Sequence, residues 1–172
     1  MSTVTKDNFG PLIAYLVPGA TVLVGFSVYS PALQTWLAAT PPNAPTISGF
    51  LYLTMASLAA GMIVSAIRWA VIDRLFAWTG LALPPMDFSN LGAKVEAYQL
   101  LITIHYLHYQ HHSNMLVATA IAYACYRSHL GLHGDWGWLD VGVGLLEILF
   151  LITSRDNLRK YYSRGTRLLG TV

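Results

Sequence analysis

The stretch YQLLITIHYLHYQHHSNMLVATAIAYACY, residues 98–126, decides how the whole chain is read. Its later part, 115–125, is apolar enough for hydrocarbon but alone is too short for a membrane span of about 20 residues. The first half must therefore supply part of any crossing, and it carries His105, His108, His111 and His112 together with Gln110 and Asn114. Such groups are costly in lipid unless protein or water satisfies them. At about 100° per residue, His105, His108 and His112 share a helix face with Tyr98, Tyr109, Thr119 and Tyr123, while Glu96, Thr103, Gln110 and Asn114 lie nearly opposite. Only a strip through Leu100, Ile104, Leu107 and Ala118, which also contains His111, is left for lipid. A helix polar on two sides belongs in the middle of an assembly.

Outward from this segment the chain stays apolar. Its 172 residues are 55% hydrophobic and 10% charged, with a mean hydropathy of +0.49, which predicts an all-α integral membrane protein rather than a soluble domain. Four transmembrane helices are expected, at about 11–29, 47–71, 98–126 and 136–153, in one membrane domain followed by a basic segment, 154–172. The first span is expected to be retained, because its apolar run is longer than a secretory signal and contains Pro18-Gly19. A charge-free segment with Pro41, Pro42 and Pro45 leads to the second span, where Ser57, Gly61 and Ser65 recur every fourth residue. That small-residue stripe suits close contact with another helix, within the subunit or across an oligomer. Arg68, Asp73 and Arg74 are read as closing the second span, with Trp69 and Trp78 at its interface. Ser89 or Asn90 is read as capping the third helix, and the short turn after it makes spans three and four antiparallel neighbours.

Several function classes drop out. A net charge of +2 without a basic, aromatic-interleaved surface argues against nucleic acid. Cys125 is the only cysteine, so there is no intramolecular disulfide and no thiol cluster. Motifs for an activated serine, a zinc hydrolase, a phosphate loop or a dinucleotide site are missing. What remains is intramembrane polarity. Asp140 and Glu147, seven residues apart, share one face of span four, and Gly137 and Gly144 beside them permit close approach. Depth counting along the antiparallel pair predicts Glu147 beside His112 or His108, and Arg127 beside Asp140.

His108-Tyr-Gln-His111-His112 resembles the HxxHH box of membrane fatty-acid desaturases and hydroxylases, and His129-Leu-Gly-Leu-His133 is similar to their HxxxH box. The resemblance implies an oxygen-activating two-iron site with His108, His111 and His112 as metal ligands. Two iron coordination spheres need roughly eight histidines or carboxylates. This chain has six histidines, its boxes stand in reversed order, and the third span separates them.

The composition and polar pattern lead us to expect a homo-oligomeric ion, proton or solute pore, or a regulated membrane-perturbing effector, in a prokaryotic inner (plasma) membrane. It would need no cofactor, its partners being the lipid bilayer and copies of itself. The pathway candidates are His105, His108, His112, Asn114, Glu147, Asp140 and Arg127. An accessory or assembly subunit of a larger membrane complex is the alternative, and a histidine-rich metal-dependent oxidase is third. Lys and Arg concentrate after spans two and four, which predicts both termini in the cytoplasm. A cysteine placed at Asn43 is therefore expected to react with an impermeant maleimide from the outer side. Labelling from the cytoplasmic side alone would overturn that topology.

Overall fold

A computed structural model describes residues 6–37, 47–131 and 136–170. The Pro41–Pro45 part of the charge-free segment, together with His133 and Asp135, lies outside them. Regular structure among the described residues is entirely helical. Helix α1 (Lys6–Ser27) is followed by the short α2 (Pro31–Leu37) and by α3 (Ile47–Trp78). A 3-10 segment (Phe88–Lys94) then leads into α4 (Val95–Leu101), a π-helical turn (Ile102–Tyr106) and α5 (Leu107–Leu130), which follow one another without a break; α6 (Trp138–Leu169) ends the bundle.

Side-chain contacts fix the directions. Asn114 of α5 reaches the Ala14 carbonyl of α1, and Tyr29 just beyond α1 meets Ser128, so α1 and α5 run parallel. Gly19 faces Ser57 and Gly61 faces Tyr15, so α3 runs antiparallel to α1, and Arg127 and His105 on the 95–130 segment meet Asp140 and Arg164 of α6, so α6 also runs antiparallel to α5. The four long helices alternate up and down, and α5 is the element that touches the other three.

Glycine makes the tightest contact. A Cβ on Gly61 would overlap the Tyr15 carbonyl, and one on Gly19 would overlap the Ser57 carbonyl, so α1 and α3 approach almost backbone to backbone. Ser57 and Gly61 of the small-residue stripe are thus buried within the subunit, with Ser65 half-buried at its edge. Gly25 makes a similar but less tight approach to Ala122 on the other side of α1. A second cluster joins Val64, Ile72 and Phe76 of α3 to Tyr109 and Val117 of α5 and Leu158 and Tyr161 of α6.

Four local expectations change. Helix α3 continues to Trp78, so Arg68, Asp73 and Arg74 lie within it rather than at its close. Asp87 caps the segment before α4, its carboxylate accepting the Ser89 N–H at 2.9 Å, because its extended backbone points the short side chain at that donor. Ala118 is fully buried rather than on a lipid-facing strip, whereas Leu100 and Ile104 are exposed as expected. The basic segment after residue 153 remains helical to Leu169 and buries Ser154, Leu158, Tyr161, Gly165 and Leu169, a three-to-four spacing that marks one packed face.

The outside of the bundle is strongly apolar. Phe50, Leu51, Met62 and Ile63 on α3 and Leu145 and Ile152 on α6 each leave about three-fifths of their surface exposed. Soluble monomers rarely carry contiguous apolar surface of that kind. Residues 49–78 of α3 are long and apolar enough to cross a membrane, a single helix that points weakly to membrane association.

Gly61→Leu is expected to destabilise the detergent-solubilised protein by about 1–3 kcal/mol through overpacking against the Tyr15 backbone. Thermal unfolding followed by circular dichroism checks this, and an unchanged midpoint would contradict the α1–α3 contact.

Candidate functional site

Helix α5 presents one stripe of polar residues to α6, continued downward into the π turn. From the basic end it runs through His105, His108, His112, Thr119, Tyr123 and Arg127, positions that recur on one face at helical spacing. At the bottom, Arg164 Nη1 lies 2.7 Å from His105 Nε2. Arginine can only donate, so Nε2 accepts and the ring carries its proton on Nδ1. One turn up, the His108 and His112 rings stack with centroids 6.4 Å apart, and His112 meets Phe150 of α6. Further on, Thr119 Oγ1 donates to Glu147 Oε1 at 2.5 Å. At the top, Tyr123 donates to Asp140 Oδ1 at 2.5 Å, while Arg127 Nη1 stands 3.4 Å from the same oxygen. Asp140 also accepts the Gly137 N–H at 2.6 Å and so starts α6. From His105 to Arg127 the stripe rises about 33 Å, its lower part lying beside the basic segment of α6 that ends at Arg164 and Arg167.

The pairing of Arg127 with Asp140 matches the sequence reading; that of Glu147 does not. The contacts at Asp140 and Arg164 set a register in which Glu147 faces residues near 119–122, about two turns from His112. Asn114 leaves the stripe as well. It is fully buried toward α1, where its amide donates to the Ala14 carbonyl at 3.0 Å, and the neighbouring Gln110 donates to Tyr15 Oη at 2.7 Å. These two residues serve helix packing. Among the described residues, buried His111 Nδ1 and His112 Nδ1 have no hydrogen-bond partner. Polar clusters that serve packing alone normally satisfy such atoms.

His108, His111 and His112 do not form a metal centre with other ligands: no three His, Cys, Asp or Glu side chains converge for a metal ion among the described residues. The rings of His111 and His112 meet edge to face instead, with centroids 5.6 Å apart.

A second polar group joins α3 to α5. Tyr109 donates to Asp73, Arg68 Nη1 bonds both Asp73 Oδ1 and the Tyr109 hydroxyl, at 3.1 and 3.0 Å, and the Arg68 guanidinium lies 5.2 Å from the Tyr109 ring centroid. Sequence reading missed this group. The two charges stand five residues apart, outside the usual helical pairing distances, and Tyr109 is assigned by periodicity to the histidine face. The signal that was available is a charge pair within an apolar helix, which demands a partner. Beneath it, Tyr98 and Tyr161 share a hydroxyl contact of 2.7 Å. Burial, reinforced by that bond, pushes the Tyr161 phenol well above its usual range, so it stays protonated.

Asp73→Ala strips the buried Arg68 of its carboxylate and should cost about 2–3 kcal/mol, less than a fully buried pair because Asp73 keeps 32% of its side-chain surface. Tyr109→Phe removes hydrogen bonds only, an expected loss of about 1 kcal/mol. Chemical denaturation of the two variants checks the order, and a reversed order would show that the hydroxyl rather than the charge pair dominates. Comparison with protein families, curated proteins and solved structures finds no match.

Proposed function

We propose that the chain is a four-span membrane protein that assembles with copies of itself and passes protons or small ions along the α5–α6 polar stripe. The observation that carries this reading is the continuity of the stripe: titratable and hydroxyl groups recur along α5 from His105, beside the basic extension of α6, to Arg127 at the opposite end of the bundle.

The four-span arrangement is supported by apolar residues exposed on the outer faces of α1, α3 and α6 and by the alternation of helix directions. Helices α5 and α6 are less apolar than α3 because they carry the stripe itself and, in α6, the basic extension. That extension, with Arg155, Arg159, Lys160, Arg164 and Arg167, supports a cytoplasmic placement of both termini in an inner membrane. Four helices in one copy enclose too little space for a wide aqueous pore, which favours a narrow relay of side chains.

Lateral exposure supports the oligomer. His108 is exposed and His111, His112 and Glu147 are partly exposed on the side of the bundle. Acyl chains are poor neighbours for such groups, whereas a second copy or confined water satisfies them. Met115, Leu116 and Phe150 separate His112 from Thr119, and this apolar interval is where a gate would sit.

Glu147→Gln preserves volume and removes the carboxylate in the middle of the stripe. In proteoliposomes with an internal pH dye, the variant is expected to lower proton flux at least about fivefold relative to wild type. Wild-type flux no greater than that of protein-free liposomes, or flux unaffected by Glu147→Gln and His112→Gln alike, would refute conduction through the stripe.

A further inference from the structure

Below the stripe, where α6 continues past the apolar belt, a cavity of about 450 Å³ opens between α4 with its π turn and the last turns of α6. Its volume falls within the roughly 300–1,000 Å³ of small-molecule sites. One wall is Ala97, Leu100, Leu101 and Ile104, Leu168 closes it from α6, and Arg164 and Arg167 stand at its rim beside His105. We infer that this cavity binds a phospholipid with an anionic headgroup, its phosphate on Arg164 and Arg167 and the upper part of an acyl chain along Leu100 and Ile104. The assignment rests on the membrane reading above but not on conduction.

Three observations carry it. Among the described residues, neither arginine makes an ion pair with a carboxylate, whereas Arg68, Arg127 and Lys160 each do. Two guanidinium groups one turn apart therefore lack an anion, and their planar donors match phosphate oxygens. Arg164 is also held in place. One of its five donors goes to His105 Nε2 at 2.7 Å, and His105 is itself more than nine-tenths buried, so the guanidinium is fixed rather than swinging in solvent. Because His105 accepts that bond, it adds no competing anion. Finally, the wall is amphiphilic in the right order. Leu100 and Ile104 remain 59% and 45% exposed next to the arginines, a combination of apolar surface and cations that suits a lipid at headgroup depth and would leave a free phosphate with an unused apolar wall.

The test uses the full-length protein, delipidated in mild detergent and titrated by native mass spectrometry with phosphatidylglycerol, phosphatidylcholine or inorganic phosphate. Wild type is expected to bind phosphatidylglycerol at least about tenfold more tightly than phosphatidylcholine, and millimolar phosphate should not displace it. Arg164→Gln/Arg167→Gln should abolish the preference, while Arg159→Gln/Lys160→Gln, which removes the same charge outside the cavity, should keep it. Ile104→Trp fills the apolar wall without changing charge and should weaken phosphatidylglycerol binding severalfold, so the site remains testable if the double arginine variant misfolds. Equal loss in both double variants would reduce the effect to general attraction of the basic extension and overturn the site. Displacement by phosphate would overturn the lipid as occupant, and no preference between the two lipids would overturn the site outright. Release of the protein from native membranes by alkaline carbonate would instead refute the membrane reading, an outcome distinct from all of these.

Discussion

The Asn114 amide and the Ala14 carbonyl meet 3.0 Å apart in a place that excludes solvent, and much of the bundle's geometry follows from that requirement. A buried carboxamide left unpaired costs more than most single packing contacts gain, so α1 must lie against α5 at this level. Once α1 is there, its other face carries Gly19 and meets the stripe of Ser57 and Gly61, which draws α3 in. With α1 and α3 on two sides of α5, the remaining side takes α6. The polar residues of α5 thus act as addresses for its neighbours: Gln110 and Asn114 for α1, Tyr109 for α3, and the line from His105 to Arg127 for α6.

This division of labour was partly legible in the sequence. The doubled polarity of residues 98–126 was enough to place the helix at the centre, because no other position satisfies groups on opposite faces. Arg127 and Asp140 were also legible, since a short turn between two helices leaves little freedom near their joined ends. Glu147 was not. Its level depends on where each helix ends, and α6 runs on to Leu169, well past residue 153, where the span was expected to close. An error of two turns accumulates away from the turn but vanishes beside it, which is why one pair was found and the other missed. The Arg68, Asp73 and Tyr109 group escaped for a different reason: helical periodicity describes faces, whereas long side chains such as arginine and tyrosine reach beyond their own face.

The two polar systems of α5 differ in kind. Toward α1 and α3, Ser113 and Asn114 are wholly enclosed and Tyr109 is locked between an arginine and an aspartate, an arrangement that resists change. Toward α6 the α5 groups from His108 to Arg127 are only partly enclosed, some ring nitrogens have no partner among the described residues, and an apolar interval divides the line in two. A rigid side and a looser side on one helix let the bundle hold its shape while the looser side rearranges.

The π-helical turn at Ile102–Tyr106 makes the lower end of this helix independent of the upper end. A π turn accommodates one more residue than an α turn over nearly the same rise, so everything before it is out of phase by about 100° with an uninterrupted helix. A gene that lost a single codon here would still encode the same helices, with the same composition and almost the same hydropathy. With the extra residue gone the turn closes as ordinary α-helix and α4 keeps its phase, Tyr98 still against Tyr161; closing the turn as α-helix at full length would instead rotate α4 by about 100° and detach the base of the bundle.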